Sequence, residues 1–180
     1  MRRRTRRALA TAALTLAVAG AWYGCVEWPV ETPDATAYGT DGPIELADGR
    51  QVSVRWTQRG LVERHRDGAD AGDDAWSAPK VLYGGPGDDE CGVRLSTYRN
   101  TVAVVADHPP GCYADSPPEV VVVAVGTGDL DDWDTRRVWH DDGFAWTRFS
   151  WSGQRVVFRR EDGDGVHELS WRRVIGFTGP

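Results

Sequence analysis

The chain has 180 residues, of which 41% are hydrophobic, so its size and composition suit one folded domain and exclude global disorder. Its formal net charge is −6, but residues 1–24 hold five arginines and no acid. From residue 25 onward, 16 basic and 27 acidic residues leave the body of the chain with a balance of −11. Because nucleic-acid binding relies on Lys and Arg that neutralise phosphates, this acidic body argues against a nucleic-acid partner.

The chain begins with the pattern of an export signal. Five arginines lie among residues 2–7, and residues 8–26 contain no charged side chain. Clustered arginines stay on the cytoplasmic side of a membrane while the apolar run enters the bilayer. Residues 1–26 are therefore predicted to form one apolar helix, as an export signal or membrane anchor. The rest of the chain would then lie at the extracytoplasmic face of the cell membrane, or be secreted.

Three fates of this leader remain open. Small residues at positions 17–21 offer sites for signal-peptide cleavage, which would release a secreted protein. Gly24-Cys25 resembles the end of a bacterial lipoprotein signal, and that resemblance implies Cys25 as a lipid anchor. An uncleaved run of 19 residues comes close to the roughly 20 that a spanning helix needs. We favour the uncleaved anchor first, because the aromatic residues at its end suit a membrane interface.

A tether and a β-rich body follow the leader. Residues 27–43 are rich in Pro, Thr, Gly and Asp and are predicted to be a tether. From residue 44 to 180 no window sustains a helical period, and short runs rich in β-branched and aromatic residues recur between turn residues. The run "EVVVVAV" is apolar on both faces, which predicts a central strand covered on both sides. The runs "QVSVRW" and "VHELSW" alternate, which predicts half-exposed strands.

The body also contains a repeat. "WSAPKVLY" from Trp76 matches "WDTRRVWH" from Trp133 at an offset of 57, and "RLSTYRNTVAVV" from Arg94 matches "RFSWSGQRVVFR" from Arg148 at an offset of 54. A weaker third copy precedes them, with "QVSVRW", "GLVERHR" and "WSAPKVLY" as successive strands. These units resemble the blades of bacterial secreted β-propellers. The resemblance implies an all-β domain over residues 44–180, built of about three propeller-blade-like antiparallel meanders; a β-sandwich is the alternative.

Cys91 and Cys112 are predicted to form a disulfide. They flank two apolar runs separated by Arg99-Asn100, which indicates a hairpin whose ends come together. Thiols oxidise outside the cytoplasm, and a ring of this size would stabilise the fold by about 3 kcal/mol in the chain-entropy description. The alternative is two free buried thiols. Cys25 would then be the odd cysteine, at the membrane boundary.

No catalytic motif stands out. The sequence has no G-x-S-x-G elbow, P-loop or H-E-x-x-H, so neither a catalytic residue nor a cofactor or metal site is assigned. Acidic clusters at residues 129–134, 140–143 and 161–165 could supply carboxylates to a hydrolase. We favour turns for these clusters, because Asp-Gly is a preferred hairpin pair.

Tryptophan suggests a binding function instead. Five of the nine tryptophans lie within residues 133–171, and exposed aromatic rings can stack on sugars or on peptide side chains. Most of these rings are predicted to pack in the core, while Trp133 and Trp139, with His140, form a candidate binding surface. The sequence thus favours a membrane-tethered domain that binds a carbohydrate or an envelope protein. An envelope hydrolase that uses loop carboxylates is the alternative.

Overall fold

The computed structural model describes residues 36–38, 42–68, 75–85, 91–108, 120–139, 144, 146–163 and 165–179. This part of the chain is built of β-strands joined by turns, which confirms the all-β prediction. The helix predicted for residues 1–26, with the candidate anchor Cys25, lies outside the described residues. Within the described ranges, no helix is long and apolar enough to cross a membrane.

The described residues form thirteen strands in three antiparallel sheets. Sheet I consists, in spatial order, of β2 (Ile44–Glu45), β3 (Gln51–Thr57), β4 (Gly60–Arg66) and β5 (Lys80–Gly84). Sheet II consists of β6 (Val93–Tyr98), β7 (Thr101–Asp107), β8 (Val120–Thr127) and β9 (Asp132–Trp139), with β1 (Thr36–Tyr38) added beside β6. Sheet III consists of β10 (Trp146–Phe149), β11 (Arg155–Asp162), β12 (Gly165–Arg172) and β13 (Gly176–Thr178).

Each sheet contains a four-stranded meander of strands consecutive in the chain, and β1 adds to sheet II by pairing with β6. The sequence repeat falls on equivalent strands of different sheets. The segments that begin at Trp76 and Trp133 contain β5 and β9, the fourth strands of sheets I and II. The segments that begin at Arg94 and Arg148 cover the first hairpins of sheets II and III. The predicted antiparallel, blade-like meanders are therefore confirmed.

Sheet II lies between the other two sheets, so the described body has three β layers and two cores. One core joins sheet I to sheet II and contains Val52, Val54, Leu61, Val102, Val104 and Val122. The other joins sheet II to sheet III and contains Ala103, Val105, Val123, Val156 and Phe158. Strand β8 is buried along its first seven residues, as predicted for an apolar central strand. Strand β3 alternates between buried and more exposed positions, also as predicted.

The meanders place tight turns of all three sheets at one end, here called the turn end. These turns cover residues 46–50, 99–100, 128–131, 150–154 and 173–175. Backbone hydrogen bonds join them: Ala47 N donates to Arg99 O at 3.2 Å, and Gly128 N donates to Asn100 O at 3.2 Å. The opposite end, where β9 finishes at Trp139, is here called the crevice end.

Candidate functional site

The structure describes two of the three residues of the predicted binding surface, Trp133 and Trp139, and places them in different surroundings. Trp133 is half-buried against the core between sheets I and II, and its Nε1 donates to Leu130 O at 2.9 Å. Trp139 ends β9 with 54% of its surface exposed. His140 lies outside the described residues. Within the described part of the predicted surface, Trp139 is therefore the ring most open to a ligand.

The guanidinium of Arg137 packs on the ring of Trp139. The guanidinium carbon of Arg137 lies 3.8 Å from the centroid of the Trp139 ring, which is a cation–π contact. Nη1 of the same arginine donates to the Tyr83 hydroxyl of β5 at 3.1 Å. Alternate residues of a strand project to the same face, so Arg137 and Trp139 are neighbours by strand geometry. Two contacts thus hold the guanidinium beside an exposed indole.

An aromatic cluster fixes Tyr83 in turn. Trp56 from β3, Tyr83 from β5 and His108 after β7 meet with their ring planes 84° to 89° apart. Their centroids are 5.3 to 6.3 Å apart, the edge-to-face geometry that aromatic pairs prefer. Trp56 is buried in the core between sheets I and II. The hydroxyl that binds Arg137 is therefore positioned by rings from both sheets.

A crevice of about 330 Å³ opens beside Trp139, between β9 of sheet II and the β11–β12 hairpin of sheet III. This volume lies within the range of small-molecule sites. Its lining consists of Arg136, Arg137, Val138, Trp139, Phe144, Arg160, His167, Glu168 and Leu169. Among the described residues of this lining, basic side chains outnumber the single acid, although the body of the chain is acidic. The crevice is therefore suited to a ligand that combines negative charge with an apolar face.

The histidine and one arginine of this crevice come from a single cross-strand pair. Arg160 of β11 lies opposite His167 of β12. Phe158 and Leu169, the pair two positions along, lie in the core between sheets II and III. Because side chains alternate along a strand, Arg160 and His167 project toward the same side, which faces sheet II. Stacking of sheet III on sheet II therefore brings these side chains into the crevice beside β9.

Two carboxylates of the first acidic cluster, those of Asp129 and Asp134, accept hydrogen bonds within the fold. Oδ1 of Asp129 accepts a hydrogen bond from Asp131 N at 3.3 Å, within the β8–β9 turn. Oδ2 of Asp134 accepts one from Trp171 Nε1 at 2.6 Å. In the third cluster Asp162 pairs with Gly165, so that segment is a hairpin turn, as favoured from the sequence. The cluster at residues 140–143 lies outside the described residues.

Sequence reasoning missed a buried acid, Glu63 of β4. Its side chain is completely buried, and Oε1 lies 2.9 Å from His65 Nδ1. Burial raises the pKa of the Glu63 carboxyl, and the adjacent His65 opposes that shift. The signal was present in "GLVERHR", where an acid interrupts an apolar run. Because the carboxyl has no contact with solvent, we assign Glu63 to the interface of sheets I and II and not to a ligand site.

The predicted disulfide stays a prediction. Cys91 is fully buried in the core between sheets I and II, just before β6. Cys112 lies outside the described residues. Among the described residues, no three side chains of His, Cys, Asp or Glu come together in a way that could hold a metal ion.

Comparison with known proteins found no match. No protein-family model, curated protein or solved structure matches the chain. Function is therefore inferred from the crevice and its side chains.

Proposed function

We propose that this chain is a membrane-tethered binding domain of the cell envelope, and that the crevice beside Trp139 binds an acidic carbohydrate. The observation that carries the proposal is the Arg137 guanidinium held 3.8 Å from the ring of an exposed tryptophan. An indole offers a flat apolar surface for a sugar ring, and a guanidinium pairs with a carboxylate through two parallel hydrogen bonds.

The geometry of the pair supports stacking. One face of the Trp139 indole is covered by Arg137, yet 54% of the residue is still exposed. A sugar that stacks on this remaining surface would lie within reach of the guanidinium. The position of Arg137 is set in advance by Tyr83, so little side-chain freedom is lost when a ligand binds.

Local charge supports an acidic ligand. The described residues of the crevice lining combine Arg136, Arg137, Arg160 and His167 with one acid, Glu168. A basic cleft on an otherwise acidic body favours anionic ligands locally and disfavours them elsewhere. The predicted export signal supports an envelope location, where carbohydrate polymers that carry carboxylates are accessible ligands.

Calorimetric titration of the full chain tests this proposal. The ligands are an oligosaccharide of uronic acid units and the same oligosaccharide with its carboxylates reduced to alcohols. We expect Trp139→Ala to weaken binding of the acidic ligand by about tenfold, because the stacking surface is lost. We expect Arg137→Gln to weaken it by at least about tenfold and to leave the weaker binding of the reduced ligand nearly unchanged.

A matched control is available in sheet III. Trp146 is 61% exposed but does not line the crevice. Trp146→Ala should therefore leave the affinity of the acidic oligosaccharide unchanged. Equal losses for the Trp139 and Trp146 variants, or equal affinity for the acidic and reduced ligands, would contradict the proposed function.

A further inference from the structure

We propose that the turn end is a docking surface for a bilayer that contains anionic lipid, and that it holds the Trp139 crevice away from the membrane. This inference concerns a different surface from the crevice and goes beyond the proposed function. Three independent features carry it: an apolar patch, a basic pocket between the turns and the direction from which the chain enters the domain.

The apolar patch lies on two adjacent turns of sheet III. Val174 is 93% exposed, Ile175 is 64% exposed and Trp151 is 68% exposed. Arg173 N donates to Gln154 O at 3.0 Å, so the turn of residues 173–175 lies against the turn of residues 150–154. Single exposed apolar residues are ordinary on protein surfaces, but large ones grouped at loop tips mark an interaction site. Tryptophan and aliphatic residues beside arginine are the composition of segments that lie in a membrane interface.

A basic pocket of about 280 Å³ lies between these turns and those of sheet II. The described residues of its lining are Arg99, Asn100, Thr101, Thr127, Gly128, Ser152, Gly153, Gln154 and Arg173, which include two arginines and no acid. The guanidinium of Arg99 lies 5.3 Å from the Trp151 ring, so a cation and an interfacial ring are held together. Guanidinium groups bind a phosphate headgroup through charge-assisted hydrogen bonds.

Two acids of the turn end, Asp48 and Asp129, make hydrogen bonds within the protein. Asp48 forms an ion pair with Arg50 at 2.7 Å, and this hydrogen-bonded arginine lowers the pKa of the Asp48 carboxyl. Asp129 accepts a hydrogen bond from the backbone of its own turn. The charge of the pocket itself therefore comes from Arg99 and Arg173.

The direction of β1 puts its first residue, Thr36, on the side of the turn end. Thr36 pairs with Ser96 and Tyr38 pairs with Arg94, so β1 runs antiparallel to β6. Strand β6 runs toward the turn at residues 99–100, so β1 runs away from the turn end and Thr36 is its residue nearest to that end. Nine residues, 27–35, separate the predicted anchor from β1, and even fully extended they span only about 30 Å. An anchor at residues 8–26 would thus bring the turn end, and not the crevice end, to the membrane.

The crevice lies far from this surface. Strand β9 begins just after the turn at residues 128–131 and ends at Trp139. Its eight residues span about 25 Å in an extended strand. A domain that rests on its turn end would therefore present the crevice to ligands away from the bilayer.

Amide hydrogen exchange of the full chain tests the docking surface. The chain is placed in nanodiscs of phosphatidylcholine, with and without phosphatidylglycerol, and exchange is measured peptide by peptide. We expect residues 150–154 and 173–176 to exchange at least about fivefold more slowly in the anionic discs, since each arginine near an anionic surface contributes about that factor. The β3–β4 turn at the crevice end should exchange equally in both discs. Equal exchange of the turn end in both discs, or protection of the crevice end instead, would overturn the proposal.

Variants separate the two parts of the surface. Arg99→Gln combined with Arg173→Gln should make the turn end exchange at the same rate in both kinds of disc. Val174→Ser combined with Ile175→Ser should reduce the protection of the turn end in both. The control is Trp146→Ala combined with Val166→Ser, which removes comparably exposed apolar residues of sheet III outside the turn end. Unchanged exchange in β8 verifies that each variant is folded. Protection lost equally in the control and the turn-end variants would argue against docking.

Inorganic phosphate distinguishes a lipid headgroup from a soluble anion. Phosphate is added without discs and is compared with chloride at the same ionic strength. We expect no slowing of exchange at residues 150–154 and 173–176, because docking needs the bilayer beneath the apolar tips. Slowing by free phosphate to the level seen in anionic discs would refute the membrane proposal.

Discussion

The indole Nε1 of Trp171 donates a hydrogen bond of 2.6 Å to Oδ2 of Asp134, which joins sheet III to sheet II. Trp171 is buried in the core between these sheets, while Asp134 is exposed on β9. Trp171→Phe keeps most of the buried ring and removes the donor. We expect a loss of about 1–2 kcal/mol in the free energy of unfolding, measured with urea. Asp132→Asn, at an exposed position of the same strand, should change it by less than about 0.5 kcal/mol. An unaltered stability of Trp171→Phe would show that the bond contributes nothing.

Gly126 and Trp133 form a cross-strand pair that leaves no room for a side chain. A Cβ on Gly126 would lie 2.5 to 2.7 Å from three atoms of the Trp133 ring, which a hydrogen bond to Leu130 O holds in place. Gly126→Ala is therefore expected to lower the free energy of unfolding by about 1–3 kcal/mol through overpacking. In Gly84→Ala the new methyl group meets open space on β5, and stability should stay within about 0.5 kcal/mol of the parent. Similar stabilities of the two variants would contradict this account.

The buried Glu63 makes the stability of the fold depend on pH. Burial raises its pKa, so the folded chain keeps this proton to a higher pH than the unfolded chain does. The contribution to stability is complete below the ordinary glutamate pKa of about 4.3. It is lost as the pH rises through the pKa that Glu63 has in the folded state. Urea unfolding at a series of pH values should therefore show the parent losing stability relative to Glu63→Gln across that window. Parallel profiles of the two proteins would exclude the effect.

Asp48 supplies a control of opposite sign. The hydrogen bonds from Arg50 lower its pKa, so its contribution is present above the unfolded pKa and disappears as pH falls. Asp48→Asn should therefore flatten the acid side of the stability profile and leave the pH range of the Glu63 effect unchanged.

Burial raises the pKa of Asp107, as it does for Glu63, because it outweighs the opposing charge of Arg94. Combining Asp107→Asn with Glu63→Gln should therefore remove more of the pH dependence than Glu63→Gln alone.

The predicted disulfide can be tested by peptide mapping without reduction. We expect a cross-linked peptide pair that contains Cys91 and Cys112, which would be retained in Cys25→Ser. Cys112→Ser should lower the free energy of unfolding by about 3 kcal/mol, the chain-entropy value for a ring of this size. Recovery of both cysteines as alkylated thiols from the unreduced, unfolded chain would rule out the pairing.

Local patterns were sufficient to predict strands β3 to β12, but not the short strands β1, β2 and β13. The apolar run of β8 requires cover on both faces, and the alternation of β3 requires one exposed face, so both could be inferred without tertiary information. The repeat further indicated which strands are equivalent. What the sequence lacked was the order of the layers, because packing between sheets depends on contacts between residues far apart in the chain.

The candidate site was predicted only in part for the same reason. Trp139 was named, and Arg137 two residues before it could have been found from the period of a strand. Arg160 and His167 reach the crevice only because sheet III stacks on sheet II, which no local pattern encodes. Trp133 was also predicted to form part of the binding surface. Its ring instead packs over Gly126, the cross-strand neighbour, where no side chain occupies the space.

The central position of sheet II determines how the β-sheet body unfolds. Strands β7 and β8 are buried on both faces, so detaching either outer sheet would expose a valine-rich surface to water. The three sheets cannot then behave as separable modules, even though each is a complete four-stranded meander. The body should unfold in one cooperative step, and a chain shortened to end at residue 139 should aggregate instead of surviving as a smaller domain.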